Sequence, residues 1–282
     1  MNHRGGNRLS GLSQALRMMP PVVILGGLFL YPLAIMAASA FTGDSGGFSL
    51  APGEQMLGSQ LFLKALLHTL MIALTATFFC LVLGFVLALL FRLAPFRGVR
   101  VLSRVVDAYL AFPSFLIALS LTFLYGNAGL VSALFGANQQ GVSFLYGFWG
   151  VVLAEVTFYT PFVLRPLLAG LEGLDAAQIE IASSLGEKPL GVIRHVVLPM
   201  LMPSLLAGGS LTLLLTVNEF GIMLVMGAKN VITLPVLIYG LAVQQFNYSA
   251  ASVVALCNIA LSLSLFGLYR LCLTSLVETG IK

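Results

Sequence analysis

The chain has 282 residues, of which 59% are hydrophobic and only 9% charged, with a formal net charge of +4. Soluble domains carry roughly 25% charged residues, so this composition excludes a water-soluble globular fold. The positive balance does not indicate nucleic acid, because the basic residues segregate to one side of a set of membrane spans.

A basic lead over 1–19 carries Arg4, Arg8 and Arg17, and an apolar run follows near 20–41. Ala38-Ser39-Ala40 has the look of a signal-peptidase box. The run nevertheless exceeds the roughly 7 to 15 residues of a signal segment, and its removal would leave an odd number of spans, so it reads as the first transmembrane helix. The connection Thr42 to Leu63 holds Gly43, Gly46, Gly47, Pro52 and Gly53 and reads as an irregular loop. Further runs lie near 66–91, 105–125, 147–171, 203–226 and 250–274. Each reaches the length of about 20 residues that a helix needs to cross a hydrocarbon core of about 30 Å. Their continuous apolarity favours helices over barrel strands, which alternate over about ten residues. The sequence therefore predicts an all-α, polytopic membrane protein with six transmembrane helices.

Arg4, Arg8, Arg17, Arg92, Arg97, Arg100, Arg104, Arg165, Lys188, Arg194, Arg270 and Lys282 fall on one side of these spans, and only Lys64 and Lys229 on the other. The positive-inside rule then places both termini and the loop after the fourth span in the cytoplasm. Trp149, Tyr125 and Tyr146 gather near the outer boundary, as an aromatic belt does. The chain divides into a cytoplasmic segment 1–19, a single transmembrane domain 20–275 interrupted by a polar loop at 172–199, and a cytoplasmic tail 276–282.

Pro113 in span three and Pro161 and Pro166 in span four lack an amide donor and predict kinks. Ser204, Ala207, Gly208, Gly209 and Ser210 form a small-residue surface that lets another helix approach. Cys80, Cys257 and Cys272 sit in apolar runs without C-x-x-C spacing and read as small buried side chains. His3, His68 and His195 stand apart, so no metal site is expected. Asp107, one turn from Arg104, predicts a local ion pair, and Arg165 either pairs at similar depth or snorkels to the interface.

The polar loop is the most patterned part of the chain. Asp175 can cap a short helix over 175–185, Ala176, Ala177, Ile179, Ile181, Ala182 and Leu185 supply its apolar positions, and Gly186 can end it in a conformation costly for other residues. Glu180 and Glu187 add anionic handles, Ala182 permits close approach of a partner, and Pro199 with Pro203 redirects the chain into span five. Such a loop must be presented to something in water.

Glu180, Ala182, Gly186, Leu198 and Pro199 match the spacing E-A-A, three residues, G, nine residues, I, one residue, L-P of bacterial binding-protein-dependent ABC importer permeases. Ile181 replaces the second residue of that pattern and Val196 its isoleucine. The chain resembles that family over its whole length. The resemblance implies a coupling helix, with Glu180, Ile181, Ala182, Gly186, Leu198 and Pro199 seated against a separate ATP-hydrolysing subunit. It also implies two such ATPase subunits, a second permease subunit that is a different chain rather than a copy, and an extracytoplasmic solute-binding protein. The chain has no Gly-Lys pair and hence no P-loop, so it reads as a transport subunit that is not an enzyme and has no cofactor.

Asn218-Glu219-Phe220-Gly221 is similar to the E-F-G segment of permeases for sulfate, molybdate and related oxyanions. The longer stretch 218–235, with L-A-E-V-T at 153–157 and L-Y-R-L at 268–271, resembles permeases of the 2-aminoethylphosphonate type. Sulfate or molybdate, polyamine and ferric iron importers are the alternatives. Glu155 and Glu219 fall in spans of opposite direction at a similar depth, roughly 10 to 12 Å from the outer ends. Carboxylates there cost several kcal/mol unless hydrated, paired or protonated. Glu155, Asn218 and Glu219 are therefore candidates for a translocation pathway, in which a carboxylate meets the substrate ammonium; joining helices by hydrogen bonds is the rival role. A proton-coupled secondary transporter built on either carboxylate is a competing class, but it predicts inverted repeats, and the two halves show no duplication. An assembly subunit without transport is a further rival.

Overall fold

The structure is a computed structural model that describes residues 19–43, 46–93, 98–126, 129–135, 144–227 and 231–280. His3, Arg4, Arg8, Arg17, Arg97, Lys229 and Lys282 lie outside the described residues, as do the side chains of Arg100 and Cys272. The described elements are twelve helices: α1 (Met19–Ser39), α2 (Ala51–Leu57), α3 (Gln60–Leu93), α4 (Val99–Tyr109), α5 (Ser114–Tyr125), α6 (Leu130–Phe135), α7 (Phe148–Glu172), α8 (Ala176–Ser184), α9 (Pro189–Val217), α10 (Gly221–Met226), α11 (Leu234–Gln244) and α12 (Tyr248–Gly280). The chain is all-α, as its apolar runs require. Five of these helices are long and apolar enough to cross a membrane, and the bent pair formed by α4 and α5 makes a sixth span when counted as one.

That pair goes beyond the kink that Pro113 predicts within the run 105–125. It turns by 106°. Pro113, extended at ψ 141°, is the cause: it has no amide to donate and keeps the residue before it out of helical geometry. Beyond Pro113 the chain forms a separate apolar helix, whereas α4 is amphipathic, with Val101, Leu102 and Val105 exposed and Val99, Ser103 and Val106 turned partly inward.

Two compact units divide the chain, 1–59 with 238–256, and 60–237 with 257–282. In the first, α1 has no buried residue, which in lipid is no defect because the surrounding chains are as apolar as its side chains. The stretch after it is more ordered than its glycines alone imply. A bridge pairs Thr42 with Phe48, the Phe41 and Phe48 rings stack at 6.0 Å, Ser249 Oγ donates to the Thr42 carbonyl at 2.9 Å, and Pro52 starts α2 within its first turn.

In the second unit α7 is central, packed by α3 and α9, with α10 on α5. Val151, Val163, Leu164, Leu167 and Leu171 of α7 are wholly or nearly wholly buried. Small residues permit this packing where hydrophobic driving force between helices is absent. A Cβ on Gly208 would stand 3.0 Å from Val163 Cα, and one on Gly84 2.9 Å from Val163 Cγ1. A Cβ on Gly209 would collide with the Tyr269 hydroxyl, which donates to the Leu205 carbonyl at 3.0 Å. Cys80 is fully buried in the same core.

Pro161 and Pro166 stay inside one continuous helix. Pro161 leaves the Thr157 carbonyl without its helical donor, and the Tyr109 hydroxyl supplies one at 3.1 Å. Pro199 and Pro203 likewise do not delimit span five, which begins ten residues earlier at Pro189, runs through a π turn at Ile193–Val197 and continues to Val217. The wider turn, with the Leu198 amide bonded to the Ile193 carbonyl, absorbs the missing donor of Pro199.

Candidate functional site

The loop after α7 folds as its residues dictate. Asp175 Oδ1 accepts the Ala177 amide at 3.0 Å and caps α8. At the other end Gly186 takes φ +87°, its amide donates to the Ser183 carbonyl at 3.0 Å, and the Glu187 amide reaches back to the Ala182 carbonyl at 3.2 Å. This pair of bonds is a Schellman motif, and a left-handed φ is why glycine stands there. Glu187 and His195, which stand apart in the sequence, are joined by a 2.7 Å contact between Oε1 and Nδ1, tying the loop exit to the first turns of α9.

The face of α8 differs from the anticipated one. Ala182, with Ile179, turns toward the chain's own core, so its smallness serves packing within the subunit. Glu180 and Ile181 point outward, and Ile181 is 60% exposed. Leu185 at 83% and Leu190 at 80% extend this outward apolar surface, and neither stands out in the sequence as an outward position. Leu198 is partly buried and Pro199 exposed on α9.

Span five leads from this loop to a second constellation. The helix stops at Val217 and restarts at Gly221, and Asn218-Glu219 occupies the break. Asn218 donates to the Leu214 carbonyl at 2.8 Å and to Ser262 Oγ at 3.2 Å, and accepts from Asn258 Nδ2 at 2.9 Å, so it joins α9 to α12. Glu219, buried, accepts the Ile222 amide at 2.7 Å, capping α10, and accepts Ser114 Oγ of α5 at 3.0 Å. Its other oxygen accepts the Tyr159 hydroxyl of α7. A Cβ on Gly221 would press on Ser114 Oγ at 3.0 Å and Glu219 Oε1 at 3.4 Å, so the glycine keeps room for that bond. The four residues Asn218 to Gly221 thus work as one junction among α5, α7, α9, α10 and α12.

Glu155 lies one turn before Tyr159 on α7, which brings the two carboxyl groups to one layer. It is 1% exposed, and its Oε2 has no hydrogen-bond partner among the described residues. His68 and Thr69 have a comparable joining role on α3: His68 Nδ1 lies 3.2 Å from the Ile232 amide nitrogen, and Thr69 Oγ1 accepts the Leu234 amide at 2.9 Å at the start of α11. Asp107 pairs with Arg165 on α7 rather than with Arg104 on its own helix. No group of three or more His, Cys, Asp or Glu able to hold a metal occurs among the described residues.

Fold and site together define a multi-pass helical subunit of a membrane transporter that presents a capped helix in a polar loop. The family model for the binding-protein-dependent transport system inner membrane component matches residues 80–275, and the chain belongs to that family. It is an ABC importer permease subunit of the inner membrane, not an enzyme. A Salmonella typhimurium protein provisionally named 2-aminoethylphosphonate transport system permease protein PhnU is 46% identical over 275 residues, covering 96% of this chain and 95% of that one. A Prototheca wickerhamii protein, also provisionally named, as sulfate transport system permease protein cysT, is 32% identical over 66% of this chain and 73% of its own. The fold also matches a chain of a bacterial alginate ABC transporter solved in complex with an alginate-bound periplasmic protein, with a TM-score of 0.77 at 19% identity over 95% of this chain and 96% of that one.

Proposed function

We propose that this chain is one of two different permease subunits of an importer for 2-aminoethylphosphonate, fed by an extracytoplasmic binding protein and driven by two ATPase subunits. The observation that carries the substrate is the 46% identity to the PhnU relative along 96% of the chain, against 32% over 66% for the sulfate-named relative. The termini and the α8 loop face the cytoplasm in this reading, by the charge asymmetry. Glu180, Ile181, Leu185 and Leu190 form the surface offered to the ATPase, while Ala182 and Gly186 hold α8 in shape and Leu198 and Pro199 lead into span five.

Movement of the ATPase subunits reaches the bilayer through α9, because the loop exit is bound to its first turns by Glu187 and His195. It arrives at Asn218 and Glu219, whose bonds distribute it to α5, α7, α10 and α12. Transmission of this kind requires an element with two arrangements, and a helix broken at a hydrogen-bonded junction is suited to that. Of the three pathway candidates Glu155 keeps the role of meeting the ammonium: its Oε2 is unpartnered among the described residues, whereas Asn218 and Glu219 are committed to joining helices.

Reconstituted ATP-dependent uptake is the test, with 2-aminoethylphosphonate and sulfate as competing solutes. Preferential 2-aminoethylphosphonate uptake, abolished without ATP and weakened by Glu155→Gln in an intact complex, is expected. Uptake of sulfate alone removes the substrate assignment, and unchanged uptake by the Glu155→Gln variant removes the pathway role.

A further inference from the structure

The ends of α3, α4 and α7 line a cleft of about 370 Å³ at the entrance to the polar loop, apart from α8 and from the helix junction. Arg92, Ser103, Arg104 and Arg165 bring donors to it, the carboxylate of Glu172 lines it as well, and Leu168 contributes to an apolar wall. The charges do not cancel. Arg165 is matched by Asp107, and with Asp107 so engaged Arg104 loses the partner its own helix offers. Among the described residues neither Arg92 nor Arg104 has a carboxylate partner, and both are exposed.

Two guanidinium groups and a hydroxyl lining one cleft suit a phosphate-type anion, whose oxygens match the planar fork in a way an ammonium cannot. A second, independent observation says where this anion comes from. Helix α4, which forms one wall, is amphipathic: Arg104 turns toward the cleft while Val101, Leu102 and Val105 are 64%, 38% and 55% exposed. The 106° turn before α5 points α4 in a different direction from α5. A helix with an arginine-bearing face and an uncovered apolar face lies at the boundary between head groups and acyl chains. Basic clefts between helix ends at that level bind anionic head groups.

We propose that this cleft holds a phosphate-type anion presented by the head group of an anionic phospholipid, with its acyl chains along the apolar face of α4. The bound lipid ties together the ends of α3, α4 and α7 just before the docking loop begins at Ala176, so it steadies the base from which that loop moves.

Native mass spectrometry of the whole purified transporter tests this, titrating phosphatidylglycerol or phosphatidylcholine with and without millimolar inorganic phosphate. Retention of phosphatidylglycerol over phosphatidylcholine is expected, falling about thirtyfold in Arg92→Gln/Arg104→Gln and unchanged in Lys64→Gln at the opposite end of α3. Arg104→Lys, which keeps the charge and loses the fork, should give intermediate retention and serves if the double variant does not assemble. Equal retention in wild type and in the arginine variants overturns the proposal. So does a site that takes inorganic phosphate while discriminating no lipid, which makes it a soluble-anion site. Loss of the ATPase subunit from the arginine variants with lipid retention intact also overturns it, and assigns the arginines to that subunit.

Discussion

Glu219 offers the sharpest test of the helix junction. Replacing it with alanine leaves the Tyr159 hydroxyl, the Ser114 hydroxyl and the Ile222 amide without their acceptor. Side-chain hydrogen bonds between membrane helices contribute about 0.6 kcal/mol on average and about 1.7 at most, so the bonds to Tyr159 and Ser114 come to about 1 to 3 kcal/mol, and loss of the cap on the Ile222 amide adds about 0.5 to 2 kcal/mol. Tyr159→Phe deletes one of the three and should cost about 0.6 to 1.7 kcal/mol. Because the two residues touch, their effects must not add: in the double variant the loss should fall short of the sum by about the value of that single bond. Denaturation of the purified transporter in mixed micelles measures each value, and uptake by the same preparations shows whether transport declines in the same order. Strict additivity of Glu219→Ala and Tyr159→Phe would refute the junction, since it would mean that the residues stabilise the subunit independently.

The loop and the helix packing are open to test by substitution at their glycines. Gly186→Val forces φ +87° on a β-branched residue at a cost of about 1 to 3 kcal/mol, which should unravel the end of α8 and lower co-purification of the ATPase about tenfold while the permease still inserts. Normal co-purification would show that the Schellman turn does not shape the docking surface. Gly208→Leu meets the backbone of Val163, which cannot swing aside, and should lower Tm more than Gly209→Ala, which meets the side chains of Tyr269 and Leu81 and no backbone. The reverse order in a thermal shift assay would contradict the close approach of α9 to α7.

Much of the fold and of the docking loop is legible along the chain because it is local. Six apolar runs give the helices, Asp175 gives the start of α8, and Gly186 gives its stop, since capping and left-handed geometry involve residues a few positions apart. The substituted E-A-A pattern likewise locates the loop. The pattern fails where direction matters: it presents Ala182 as the outward contact, although helix orientation is decided by what packs beneath, and Ala182 with Ile179 is drawn to the core while Ile181 and Leu185 remain outside. Pro113 announces a disturbance, but only the structure shows that it amounts to a right-angled turn that converts half of a supposed span into an amphipathic helix.

What the sequence by itself determined is thus the membrane class, the number of apolar runs, the loop and the family, all of which depend on composition and short-range order. Tertiary structure alone decided the partners of the polar residues. Asp107 chose Arg165 on another helix over Arg104 one turn away, and Glu219 found Ser114 and Tyr159, more than fifty residues distant. The physical reason is that a polar group in an apolar surrounding must be satisfied by whichever donor the packing of helices brings within reach, and that packing is set by the close approach of glycines such as Gly84 and Gly208 to α7.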